Sequence, residues 1–165
     1  MRNKQKGFSL IELLIVVAII LIIAAIAIPN LIRSKMAANE ASAVASIRTI
    51  NTSEVVYSST YNVANVFSAS LLQLGDGGTA ANCAPTAIPS ATQACLIDPA
   101  LEVAVSSTVT KSGYYFTYAP GTGTYTILAS PAAVNSTGVR FFFSDQTVVI
   151  RANSGAAASA TSTPI

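Results

Sequence analysis

The first thirty residues contain the feature that most constrains the fold, an apolar run that is unbroken from Leu13 to Ile28. From Phe8 to Ile28 there are 21 residues, and only Ser9 and Glu12 among them are not apolar. About 20 apolar residues in a helix are enough to span the hydrocarbon layer of a bilayer. The run therefore predicts a helix that lies in lipid or in an equally apolar protein assembly.

Positive charge is concentrated in front of this run. Arg2, Lys4 and Lys6 precede it, and no other cation occurs before Arg33. Lysine and arginine beside a membrane span favour the cytoplasmic side. The pattern predicts a single-pass helix whose amino terminus is cytoplasmic.

Two ordinary interpretations of such a run, a secretory signal and an uncleaved anchor, each leave one of its features unexplained. A secretory signal has a shorter apolar region of about 7–15 residues and a small-residue cleavage site, for which Ala25–Ala27 would serve. An uncleaved anchor that tethers an enzyme or receptor domain fits the length but gives Glu12 no role. A carboxylate at the centre of a membrane helix costs about 2.5–3.5 kcal/mol on insertion scales, so a function for it is expected.

The segment KGFSLIELLIVVAIILIIAAIAIPN has a basic leader, a Gly7–Phe8 step and a glutamate four residues after Phe8, and it resembles the type IV prepilin signal. The resemblance implies that prepilin peptidase cleaves between Gly7 and Phe8 and that Phe8 is then N-methylated. It also implies that Glu12 acts in assembly, opposite the Phe8 ammonium of a neighbouring subunit. Pro29, which cannot donate a helical hydrogen bond, is the expected point of bending or loosening.

The following segments divide by composition. Residues 1–7 form the leader, 8–29 the apolar helix and 30–60 its amphipathic continuation, with a predicted apolar stripe at Ala37, Ala41, Val44 and Ile47. Residues 61–112 form a connection, in which SASLLQLG predicts a short helix that ends at Gly75.

Cys83 and Cys95 are the only cysteines, and both lie in this connection. Exported domains meet an oxidising compartment, where such a pair usually forms a disulfide. Many pilins that this chain resembles have their disulfide nearer the carboxyl terminus. We therefore expect this bridge to staple the long connection rather than to bind a partner.

Residues 113–151 change to the pattern of strands. GYYFTYA and TYTILAS flank PGTG, and VRFFFS and TVVIR flank DQ, which predicts two hairpins. The expected fold is α+β, the pilin fold, with a long amino-terminal helix packed on a four-stranded antiparallel sheet. Residues 152–165 contain little bulk to bury and predict a flexible tail.

Several classes of function are disfavoured. The chain has no histidine, no phosphate-binding glycine motif and a formal charge of only +2, so we expect no enzymatic activity, no cofactor and no direct nucleic-acid site. Among the relatives that the chain resembles, major secretion pseudopilins often have a calcium site in a carboxyl-terminal loop. Asp76, Asp98 and Asp145 are too scattered for such a loop, so the resemblance favours a pilus subunit. The sequons at Asn51 and Asn135 are too short to assign a function.

Together these features predict a prepilin, a structural subunit of a type IV pilus-like filament. The alternative is a major pseudopilin of a type II secretion system or a minor pilin. The resemblance implies four partners: copies of the same chain, the prepilin peptidase and methyltransferase, the assembly machinery and inner-membrane lipid. The expected location is the inner membrane before assembly, and an extracellular pilus or periplasmic pseudopilus afterwards.

Overall fold

The computed structural model describes residues 8–61 and 66–165. The chain forms two compact units, one ending at Lys35 and the other beginning at Met36. The described part of the first unit is helical from Leu10 onward, and the second unit contains helices, loops and one sheet. The expected leader at residues 1–7 lies outside the described residues.

Helix α1 extends from Leu10 to Thr60. It contains no glycine and a single proline, and it is rich in alanine, the strongest helix former. Near its end, the hydroxyl groups of Ser58 and Ser59 donate to carbonyl oxygens three residues earlier, at 3.0 and 2.9 Å. Such side-chain bonds compete with helical backbone bonds and are typical of helix ends.

The carboxyl-terminal half of α1 packs on the sheet through one face. Its buried apolar side chains are Ala43, Ile47, Ile50 and Tyr57, whose spacing keeps them on one side of a helix. The sheet contributes the alternate, inward-facing side chains of three strands. These are Tyr114, Phe116, Tyr125, Ile127, Ala129 and Phe142. Burial of each large apolar side chain contributes about 1.5–3 kcal/mol to the free energy of folding.

The buried face of α1 only partly follows the predicted stripe. Ile47 is buried and Val44 is half-buried, but Ala37 and Ala41 are exposed. The prediction is wrong for these two alanines because it considered apolar residues alone. The buried face instead passes through Glu40, whose partners lie in the sheet.

One antiparallel sheet is formed in the order β1-β2-β3-β4-β5. Its strands are β1 (Tyr114–Gly121), β2 (Thr124–Pro131), β3 (Arg140–Asp145), β4 (Arg151–Ser154) and β5 (Thr163–Pro164). In the β1–β2 hairpin, Tyr114 lies opposite Pro131. Gly123 in its turn has φ of 69°, which glycine adopts without steric cost. The predicted α+β fold, a long helix on an antiparallel sheet, is confirmed.

The sheet differs from the prediction in two details. It has five strands rather than four, because Thr163 and Pro164 in the expected tail pair with β4. Backbone pairing needs no bulky side chain, so the composition of the tail did not exclude it. The fourth strand begins at Arg151, the last residue of TVVIR, rather than at Thr147, because Val148 has φ of 64° and interrupts the extended backbone.

Both outer strands place a proline on the backbone side that faces away from the sheet. In β1, Phe116 N–H points outward to Ala104 O at 2.7 Å, and alternation puts Pro120 on the same side. Beside β5, Ile165 N–H points inward to a carbonyl of the segment before β4, which leaves Pro164 facing outward. Proline has no N–H, so neither position offers a donor to another strand.

In its described residues, from 66 onward, the connection between helix and sheet contains three short helical pieces. These are α2 (Leu71–Leu74), a 3₁₀ turn (Ala80–Cys83) and α3 (Pro99–Glu102). The prediction of a short helix in SASLLQLG is confirmed by α2, and Gly75 N–H donates to Leu71 O at 3.2 Å at its end. Helix α3 begins with Asp98, whose carboxylate accepts from Leu101 N–H at 2.7 Å, a typical N-cap.

Candidate functional site on the amino-terminal helix

The first unit exposes an apolar surface along its whole described length. Every Phe, Leu, Ile and Val side chain from Phe8 to Ile32 is between 46% and 80% exposed. None of the residues in its most apolar stretch is buried, and the helix is long and apolar enough to cross a membrane. Soluble monomers rarely expose apolar patches larger than a few hundred Å². This surface therefore requires lipid or other protein around it.

Ser9 and Glu12 cap the start of this helix. Glu12 Oε2 accepts a hydrogen bond from the backbone N–H of Ser9 at 2.9 Å, and the helix begins at the next residue, Leu10. In a capping box, the glutamate three residues after a serine makes this bond to the N-cap amide. The S-x-x-E spacing is the sequence signal for this capping role. The prediction missed it because it considered only the charge of Glu12.

Pro29 lies within α1, which continues through it without a break. Because proline has no N–H, the carbonyl of Ala25 lacks its usual helical donor. One turn further on, Ser34 Oγ donates to Asn30 O at 3.0 Å, a bond of the kind that often bends helices. The role of Pro29 in bending or loosening remains a prediction.

The structure describes only some of the residues that were predicted to act in processing. Phe8 is 75% exposed at the start of the described chain. The three leader cations and Gly7 lie outside the described residues, and so does the bond expected to be cleaved. The structure thus brings Phe8, Ser9 and Glu12 within one helical turn.

Cys83 and Cys95 form a disulfide, as predicted, with their Cα atoms 5.7 Å apart. The segment at Cys95 lies along the end of α2, because Cys95 N–H donates to Gly75 O at 3.0 Å and Leu96 N–H donates to Leu74 O at 2.7 Å. The bridge therefore fastens the connecting loop to the backbone that leaves α2.

We expect loss of this disulfide to destabilise the second unit. Replacing both Cys83 and Cys95 with serine should lower the free energy of unfolding by about 3 kcal/mol, because a closed loop of this length restricts the unfolded chain. Thermal unfolding of the full chain in detergent micelles should show a Tm lower by roughly 6–12 °C. Reduced wild-type protein is the control and should match the variant. Equal Tm values for oxidised wild type and variant would contradict the expectation.

Comparison with known protein families finds a match in this same amino-terminal region. A family profile described as "Prokaryotic N-terminal methylation motif" matches residues 2–28. Over 98 residues, the chain is 40% identical to the "Type IV wide pilus major component PilA4" of Thermus thermophilus, which covers 59% of this chain and 74% of that protein. The chain belongs to the type IV pilin family. No solved structure matches it.

In this pilin, Glu40 attaches α1 to the start of β3. Its Oε1 accepts from Val139 N–H at 2.9 Å and from Arg140 N–H at 3.2 Å, and its Oε2 accepts from Arg140 Nε at 2.7 Å. Desolvation opposes ionisation of Glu40, but the hydrogen bonds from Val139 and Arg140 and the Arg140 charge outweigh it and lower the pKa. The carboxylate therefore stays charged and holds the strand to the helix.

Replacing Glu40 with glutamine should make this attachment weaker at neutral pH. Loss of a charge-assisted bond should lower the free energy of unfolding by about 1.5–3 kcal/mol. Because the pKa of Glu40 is lowered in the folded protein, its carboxylate stabilises the fold at pH values above its unfolded pKa of 4.5. This contribution is lost as pH falls through the folded pKa. The difference in Tm between wild type and variant should therefore shrink in acid.

The matched control for Glu40→Gln is Arg48→Gln, since Arg48 is exposed on the same helix. This control should change the free energy of unfolding by less than about 0.5 kcal/mol at any pH. A difference between wild type and Glu40→Gln that stays constant from neutral to acid pH would mean that the charge of Glu40 does not hold the strand.

Glu54 makes a second polar attachment and is completely buried. Its Oε2 accepts from Ser68 N–H at 3.0 Å, and its Oε1 accepts from Ser68 Oγ at 2.6 Å. The Tyr118 hydroxyl donates to Ser68 O at 2.9 Å, which joins β1 to the same group. Desolvation raises the pKa of Glu54, and hydrogen bonds from Ser68 and Tyr118 only partly oppose it.

Asn51 makes a third polar attachment of α1 and is 1% exposed. Its amide donates to Ser144 Oγ at 2.8 Å and accepts from the Tyr125 hydroxyl at 3.0 Å. The sequon at Asn51 is thus part of the core. Glu40, Asn51 and Glu54 were all missed from the sequence, although their spacing places them on the face of Ile47 and Ile50.

Proposed function

We propose that this pilin is the structural subunit of a type IV pilus-like filament, made as a prepilin, cleaved after Gly7 and N-methylated at Phe8. The observation that carries the proposal is the exposed apolar surface from Phe8 to Ile32, which only lipid or a bundle of like helices would cover. The methylation motif that matches residues 2–28 supports the processing step.

The same helix fits two environments in succession. In lipid, apolar helices attract one another weakly, because lipid tails are as apolar as their side chains. In a filament surrounded by water, burial of those side chains stabilises the bundle by about 25 cal/mol per Å². The subunit therefore waits in the inner membrane as a single-pass protein with a cytoplasmic amino terminus, until the assembly machinery extracts it.

In this proposal, Glu12 sets how neighbouring subunits align along the filament. Cleavage creates an ammonium group at Phe8, about 6 Å along the helix axis from Glu12 at 1.5 Å per residue. Within one chain, Glu12 already accepts from Ser9 N–H, so it faces the amino-terminal end. In the filament, we propose, the Glu12 carboxylate of one subunit binds the Phe8 ammonium of its neighbour, an interaction that specifies register more than it adds stability.

A pilus is favoured over the secretion pseudopilus considered above. The relative from Thermus thermophilus is named the major component of a wide pilus. In residues 8–61 and 66–165, no cluster of three or more His, Cys, Asp or Glu side chains could hold a metal ion. A major pilus subunit with a mechanical rather than an enzymatic role is therefore the function that these observations favour.

The deciding experiment is intact-mass measurement and amino-terminal sequencing of filaments sheared from cells. We expect a chain that begins at Phe8, carries one added methyl group and dominates the sheared material. Gly7→Leu, which adds a bulky side chain at the cleaved bond, is the control and should leave the leader attached and abolish filaments. A wild-type chain that begins at Met1 and stays in the membrane would instead support the anchored-domain alternative.

A further inference from the structure

Two acidic side chains are buried together between α2 and α3. Asp76 follows α2 and is 4% exposed, and Glu102 ends α3 and is 1% exposed. Buried carboxylates are normally paired with a cation or with several donors, because desolvation of an unpaired charge is costly. Neither the assembly helix nor the attachments of α1 to the sheet explain this pair.

The two residues are held in contact by the backbone. Glu102 Oε2 accepts a hydrogen bond from Asp76 N–H at 2.7 Å. Gly75 makes this approach possible, since a Cβ at that position would overlap Glu102 Oε2. Asp76 is fixed in turn by Asn82, whose Nδ2 donates to Asp76 O at 2.8 Å. The contact is therefore built into the loop rather than formed by mobile side chains.

One oxygen of the pair has no donor. Asp76 Oδ1 is buried and has no hydrogen-bond partner among the described residues. The charged groups on the neighbouring elements are otherwise engaged. Asp98 at the start of α3 is paired with Lys111, and Glu54 on α1 binds Ser68. Within the described chain, the side chains of Asp98 and Glu54 form no hydrogen bond or ion pair with the side chains of Asp76 and Glu102.

We propose that Asp76 and Glu102 share one proton, and that this proton makes an acid-strengthened latch between the α2 loop and α3. A proton on Glu102 supplies the donor that Asp76 lacks and removes one of two adjacent buried charges. A metal cation would need about six oxygen ligands. The backbone groups that face Glu102 are instead the N–H donors of Asp76 and Gly78, which a cation would repel.

The electrostatics agree with the geometry. Desolvation is the largest cause that raises the pKa of Glu102, and the side-chain hydrogen bond and the charge of the Asp76 carboxyl raise it further. The backbone N–H bonds from Asp76 and Gly78 lower this pKa and only partly offset the rise. Because the folded pKa exceeds the unfolded value of 4.5, folded protein retains a proton that unfolded protein releases. The latch makes its full contribution to the free energy of unfolding below about pH 4.5. This contribution decreases as pH rises through the pKa of Glu102 in the folded protein.

Glu102→Gln tests the proposal, because its amide supplies a permanent donor at the position of the proton. In full-length chain in detergent micelles, we expect the variant to be more stable than wild type at pH 8, by about 3 °C or more in Tm. The difference should vanish near pH 4. Asp145→Asn, which changes another acid to its amide at the end of β3, should show no such convergence. Wild-type and Glu102→Gln curves that remain parallel across pH would overturn the proposal.

Two further measurements cover the remaining outcomes. Calcium should not raise the wild-type Tm and EDTA should not lower it, and an effect of either would indicate a cation site instead. If Glu102→Gln fails to fold, Asp76→Asn places the donor on the other partner and should show the same pH dependence. If both fail, ¹³C NMR of wild-type carboxyl groups decides, because two carboxyls that titrate at ordinary values would exclude a shared proton.

Discussion

Glu12→Leu should reduce filament yield by at least about tenfold, whereas the variant should still insert in the membrane and lose its leader. Each subunit in the filament would lack a carboxylate for its neighbour's Phe8 ammonium, and a loss of only 1.4 kcal/mol per contact already changes an equilibrium tenfold. Insertion should if anything improve, because leucine is more favourable than a carboxylate in lipid. Filament yield is measured by shearing, and processing by intact mass of the membrane fraction.

Because Glu12 also caps α1, its charge and its capping bond must be separated. Glu12→Gln keeps an oxygen that can accept from Ser9 N–H but removes the charge, so it should assemble as poorly as Glu12→Leu. Ser9→Ala is the matched control, since it leaves the backbone N–H of Ser9 in place and should form normal filaments. Normal yield from Glu12→Gln would mean that the cap matters and the charge does not. Normal yield from Glu12→Leu would exclude both roles.

Glu54→Ala should be the most destabilising substitution in the second unit, by about 3–5 kcal/mol. It removes a fully buried side chain, leaves a cavity, and deprives the amide and hydroxyl of Ser68 of their acceptor. Thermal unfolding of the full chain in micelles should show a Tm lower by roughly 6–20 °C. Val55→Ala is the control, because Val55 is 54% exposed on the same helix.

Glu54→Gln should behave very differently from the alanine variant. The glutamine amide retains an acceptor for Ser68 N–H and fills the same volume. Since the folded pKa of Glu54 is raised, the wild-type carboxyl contributes fully below its unfolded value of 4.5 and less as pH rises. The glutamine variant should therefore gain stability relative to wild type between acid and neutral pH. Equal losses in the alanine and glutamine variants would contradict this account of Glu54.

The amino-terminal features were predictable because the information for them is local. The apolar run from Leu13 to Ile28 is read from consecutive residues, and its amphipathic continuation and the hairpins follow from short periods and turn residues. The disulfide was predictable because Cys83 and Cys95 are the only two cysteines of the chain and lie in a domain that is expected to be exported. These elements fix the α+β fold and the candidate assembly helix.

The buried carboxylates were not predictable from such patterns. Glu40 binds Arg140 across 100 residues of sequence, and no local period indicates which strand supplies its donors. Viewed along α1 alone, Glu40 and Glu54 resemble solvent-facing charges, because glutamate is almost never fully buried unless it is paired. Val148 is a comparable case, since its positive φ depends on the turn that encloses it and not on its own preference.

The outward-facing prolines of β1 and β5 limit how the sheet edges of closely packed subunits can pair. Subunits of a filament lie side by side at very high local concentration, a condition in which open sheet edges of neighbouring copies join and grow into amyloid-like ribbons. Pro120 and Pro164 remove the donor at one position on each edge, and Phe116 has already given its own N–H to Ala104. In the proposed filament, the chain would thus polymerise through its helix, while the two sheet edges would be kept from pairing with those of neighbouring copies.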